Sequence, residues 1–88
     1  MSRVFTEEQV VNDIDCEIKY YKELWKKGAC SRSFDLKNTA SHAVACLLML
    51  KQHMGLMTKE EVAEAIDDFN RFKEAVIYEI ITEVANGN

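Results

Sequence analysis

The chain contains no proline, and its only glycines are Gly28, Gly55 and Gly87. Proline and glycine are the strongest interrupters of regular backbone, so a chain this poor in them has few places to turn. Two of the three glycines are internal, and they divide the 88 residues into three stretches, each long enough for a helix. In the first stretch Val10, Ile14, Ile18, Tyr21 and Trp25 recur at the three-to-four-residue step of one helical face. In the third, Val62, Ile66, Phe69, Phe72, Val76, Ile77, Ile80 and Val84 do the same.

Helix ends are specified as well. Thr6 with Gln9, and Thr58 with Glu61, have the spacing of a capping box, with Phe5/Val10 and Met57/Val62 placed as hydrophobic staples. Gly28 and Gly55 offer left-handed positions on which the first two helices can stop. Ser33 and Asp35 both qualify as the N-cap of the second. Together these signals predict helices over 7–27, 35–53 and 59–85, with 28–34 as the irregular connection. Short connections make successive helices antiparallel neighbours. The expected fold is therefore all-α: an up-down-up three-helix bundle, a single domain over 1–88, with the thin core of a chain this short.

The central stretch, Leu36 to Met54, carries two apolar stripes. Leu36, Ala40, Ala43, Leu47, Leu50 and Met54 form one seam, flanked by Val44 and Leu48, and this seam is expected to face the core. His42, Cys46, Met49 and His53 form a second stripe, roughly 110° or more around the helix at about 100° per residue. A helix apolar over most of its circumference needs cover on most sides. The first expectation is thus an interface built on His42, Ala45, Cys46, Met49 and His53, covered by a second copy in a homodimer or by another protein. The alternative is a soft metal or haem held by His42, Cys46, Met49 and His53, because imidazole, thiolate and thioether four residues apart make half of a ligand set.

Charge is uneven: residues 1–27 hold five basic and six acidic groups, 28–57 three and one, and 58–88 three and eight. With a net charge of -4 the chain lacks the basic face that neutralises phosphates, which argues against nucleic acid as the principal ligand. A second alternative, weak anion or nucleic-acid binding, rests on Lys19, Lys22, Lys26, Lys27, Arg32 and Lys37. Along the first helix Asp15, Lys19, Glu23 and Lys27 are spaced for ion pairs four apart. Lys73 lies inside the third apolar stripe, and its ammonium is expected to leave the core toward a carboxylate. Glu64, Asp67 and Asp68 lack calcium-loop spacing and are expected on the solvated face.

No catalytic constellation emerges. Cys30, Ser31 and Ser33 have no assignable base or orienting group, and no glycine-rich phosphate loop exists. Three cysteines at unequal spacing draw neither a disulfide framework nor a zinc signature, which suits the reduced cytoplasm. The longest apolar run, Ala43 to Leu50, is eight residues, far from the ~20 that span a bilayer. The expectation is a small cytoplasmic interaction or regulatory module with no enzymatic activity, no cofactor and no membrane segment.

Overall fold

A computed structural model describes residues 4–87; residues 1–3 and 88, which the expected domain of 1–88 includes, lie outside the described residues. Three helices, α1 (Glu7–Cys30), α2 (Phe34–His53) and α3 (Lys59–Ala85), make up the fold, and the described residues contain no strand. Both capping boxes form. The Thr6 amide donates to Gln9 Oε1 at 2.9 Å and the Gln9 amide to Thr6 Oγ1 at 3.1 Å. The Thr58 amide donates to Glu61 Oε1 at 3.0 Å and the Glu61 amide to Thr58 Oγ1 at 3.1 Å. Ser33, not Asp35, caps α2: its Oγ accepts from the Leu36 amide at 3.3 Å.

The two boxes differ in one chemical respect. Accepting the Thr58 amide holds the Glu61 carboxyl below the usual carboxylate range, whereas Gln9 does not titrate. A depressed folded-state pKa means a contribution present above the unfolded value and lost as pH falls through the folded one. Acidification is therefore expected to fray the start of α3 before the start of α1. Amide exchange at Thr58 and Glu61, rising faster than at Thr6 and Gln9 as pH drops through the carboxylate range, is the check. Glu61→Gln should remove the difference.

α1 does not stop on Gly28. It continues to Cys30, and the left-handed position is taken by Arg32 at φ 58°. The Ser33 amide donates to the Gly28 carbonyl at 2.8 Å and the Arg32 amide to the Ala29 carbonyl at 3.2 Å, the two bonds of a Schellman stop. α2 ends the same way on Gly55 (φ 75°), with Leu56 bonded to Lys51 at 2.8 Å and Gly55 to Gln52 at 3.0 Å. A side chain at a left-handed position is strained by its Cβ. Arg32→Gly is thus expected to stabilise the protein by about 0.5–1 kcal/mol, the relief outweighing the extra freedom of glycine in the unfolded chain. The urea midpoint would rise if so, and a fall would show that Arg32 is held by something stronger than this strain.

Gly28 serves a different purpose. A Cβ there would stand 3.0 Å from the Lys37 backbone nitrogen and 3.1 Å from Leu36 Cβ, so the missing side chain lets α2 come close. At the other end of the pair Lys51 Nζ meets Asp15 Oδ1 at 2.7 Å. These two contacts fix α1 and α2 as an antiparallel hairpin, packed along most of its length, whereas α3 touches each over a shorter stretch. The ion pairs expected within α1 among Asp15, Lys19, Glu23 and Lys27 do not form; Asp15 serves α2 instead, and the other described pairs join Arg71 to Asp67 and Asp68.

The core unites Ile14, Ile18, Trp25 and Ala29 of α1, Ala40, Val44 and Leu48 of α2, and Val62, Phe69 and Val76 of α3. On α2 this differs from the expected seam. Leu36, Ala43 and Leu47 are half-buried, while Leu50 and Met54 are 45% and 48% exposed. Val44 and Leu48 take the centre because α2 is covered from two adjacent sides, with Lys51 reaching α1 and Ser41 facing α3. On α3 the buried residues recur every seventh position, and the next step falls on Glu83. Ile66, Ile77 and Val84, expected in the stripe, are exposed.

The radius of gyration, 15.7 Å, exceeds the roughly 12 Å of a compact chain of this length, and the long dimension reaches 58 Å. α3 itself is about 40 Å long, so the helices are staggered rather than flush.

Candidate functional site

The outer stripe of α2 lies where a contact surface would need it. His42, Cys46, Met49 and His53 are exposed, Met49 to 50%, and Ala45 is half-buried. Taken at about 100° per residue, this stripe is diametrically opposite the buried line through Ala40, Val44, Leu48 and Lys51. As metal donors the four side chains make two pairs along one helix. Among the described residues no group of three or more His, Cys, Asp or Glu side chains is placed to hold a metal ion. Cys16, Cys30 and Cys46 are free thiols, all exposed.

Of the six basic residues, Lys19, Lys27 and Arg32 are exposed and Lys22, Lys26 and Lys37 half-buried. Lys37 stands apart, because it lines a shallow cavity of about 220 Å³ with Trp25, Phe34, Asn38 and Ser41. Phe34, the first residue of α2, is 73% exposed at this cavity. A second shallow cavity, about 250 Å³, lies at the opposite end of the hairpin between Phe5, Val10, Met54 and Leu56. Both fall below the ~300–1,000 Å³ common for small-molecule sites.

Lys73 binds Ser41, one of the residues that line the first cavity. Its ammonium donates to Ser41 Oγ at 2.7 Å and lies over the Phe69 ring at 4.4 Å and the Trp25 ring at 5.7 Å. The expected carboxylate is absent: a hydroxyl and two ring faces hold the charge instead, attraction to the ring quadrupoles replacing part of the lost hydration. Burial still pushes the Lys73 ammonium below the usual lysine range. Around it Trp25 meets Phe69 and Phe72 edge-on, with centroids 6.5 and 6.4 Å apart, and Phe69 stacks on Phe72 at 6.2 Å. This aromatic cluster is where α3 is attached to the hairpin.

Beyond Val76 only Ile80 of α3 keeps partial cover; Ile77, Tyr78, Ile81 and Val84 are 46%, 72%, 60% and 59% exposed. Sequence reasoning placed Ile77 and Val84 in the buried stripe, which the structure corrects, and it missed the cavity of Trp25, Phe34, Lys37, Asn38 and Ser41. One signal was readable: stepping by seven through Val62, Phe69 and Val76 reaches Glu83, so Ile77, Ile81 and Val84 belong to another face, about 90° away. Lys51 was missed as well, although it continues the line of Ala40, Val44 and Leu48. No family model, curated protein or solved structure matches this chain. No described helix is long and apolar enough to cross a membrane.

Proposed function

We propose that this protein is a small helical interaction module without catalytic activity, an up-down-up three-helix bundle forming one domain that works by associating with a second copy of itself. The observation that carries this reading is the amount of apolar surface left open: Phe34, Met49, Leu50, Met54, Ile77, Tyr78, Ile81 and Val84 are each 45% or more exposed. Scattered apolar side chains are ordinary, but runs of them on two helices mark a contact surface. The shallow cavities support the absence of catalysis in this proposal, since neither encloses a substrate or gathers an acid, a base and a nucleophile.

The outer face of α2, with His42, Ala45, Cys46, Met49 and His53, enters as the first contact surface of such a module, Met49 being an adaptable filler. Three exposed thiols suit a reducing, cytoplasmic setting. Sedimentation equilibrium tests the reading. The expected result is a concentration-dependent species heavier than the 10.1 kDa chain. Particles of only that mass across the whole concentration range would overturn it.

A further inference from the structure

α3 carries two apolar faces, and apolar burial alone does not say which of them belongs against the hairpin. One is the seam in use, Val62, Phe69 and Val76, with Phe72 and Ile80 partly buried beside it. The other, Ile66, Ile77, Ile81 and Val84, is exposed and lies about 90° around the helix, with Asn70 as a polar member. Lys73 stands between the two, four residues from Phe69 and four from Ile77, about 40° from each. Its ammonium donates to Ser41 Oγ on α2 and lies over the rings of Phe69 and of Trp25 on α1, so one group meets all three helices. Among the described residues this is the only side-chain hydrogen bond or ion pair that joins α3 to the hairpin. Apolar attraction is non-directional and tolerates a turned helix. A hydrogen bond does not.

We propose that Lys73 fixes the rotation of α3 about its own axis, keeping Val62, Phe69 and Val76 against the hairpin and Ile66, Ile77 and Ile81 outward. A turn of about 90° would seat the second face and, at a side-chain radius of about 5–6 Å, carry the tip of Lys73 about 8 Å sideways. The ammonium would cross from the α2 side of α3 to the side where Phe72 now meets Trp25. Ser41 would be left behind, and a partly buried donor without its acceptor costs more than the apolar exchange returns. One polar group setting the register of packed helices is an established use of such residues. Lys73 acts within one chain, whether or not copies associate.

The test uses the full chain, with nuclear Overhauser cross-peaks reporting which face of α3 meets the hairpin. Wild type should show Trp25 indole cross-peaks to the Phe69 and Phe72 rings. Lys73→Met keeps an unbranched side chain and removes the charge. With the two faces then nearly matched, the cross-peak from Trp25 to Phe72 should fall by about half, and those from the Ile66 and Ile77 methyls to the hairpin should grow in step. Lys73→Arg can donate to Ser41 and lie on the rings, so it should restore the wild-type pattern, a recovery that a merely space-filling side chain would not need. A Lys73→Met chain that keeps the wild-type pattern would overturn the proposal and leave the shape of Phe69 and Phe72 as what orients α3. Should Lys73→Met not fold, Ser41→Ala decides with the lysine in place: the same redistribution supports the role of Lys73, and an unchanged pattern overturns it.

Discussion

Phe69→Ala is expected to cost about 3–5 kcal/mol and to loosen α3 from the hairpin, the usual effect of deleting a buried aromatic ring. Phe69 is 4% exposed, and it is the middle of three residues, Val62, Phe69 and Val76, that bury α3 once every two turns. Without it, the remaining two anchors stand about 21 Å apart along the helix. Domains of this kind are held by only about 5–15 kcal/mol in all, so the loss is a large share. Trp25 is the chain's only tryptophan and faces Phe69 directly, so its emission should move to the red as water reaches the ring. The urea midpoint should fall with it. Asn70→Ala, at the exposed neighbouring position, should stay within about 0.5 kcal/mol. A Phe69→Ala midpoint as close to wild type as that would show that α3 is anchored elsewhere.

Leu48→Ala against Leu50→Ala gives the second large effect. Leu48 is 4% exposed and Leu50 45%. The first substitution should cost about 2–5 kcal/mol and the second about 1 kcal/mol or less, since a half-exposed leucine loses less burial and leaves no closed cavity. Taken from the seam Leu36, Ala40, Ala43, Leu47, Leu50 and Met54, the order would be reversed. Equilibrium unfolding of the two variants decides which face of α2 is the core.

That reversal shows where local pattern stops being informative. α1 and α3 begin where expected because a capping box is closed within three residues, and nothing distant is needed to form it. α2 is different. Its apolar arc of alanine, cysteine, leucine and methionine is so broad that periodicity alone does not choose the buried sector; the positions of α1 and α3 do. Gly28 is a similar case. A glycine near a helix end suggests a stop, yet its use here is close approach, which depends on Leu36 and Lys37 across the hairpin. For Lys73 the pattern places the stem in the core, but its acceptor, Ser41, lies 32 residues away. The outer stripe of α2 was readable as an open face, because His42 and His53 mark it as polar-edged. The groove was not, as its lining comes from two helices and becomes contiguous only when the hairpin closes.

The ion pair between Lys51 and Asp15 has a consequence for alignment. Near the connection Gly28 brings α1 close against Leu36 and Lys37 of α2, and Ala29 and Ala40 are buried there. A slip by one helical turn, about 5.4 Å, would carry the Lys51 ammonium off its carboxylate. With its side chain only 11% exposed, that charge would then have neither partner nor full hydration. The pair therefore penalises a change of step at the open end of the hairpin, and with it any shift of Trp25 past Phe34 in the lining of the groove.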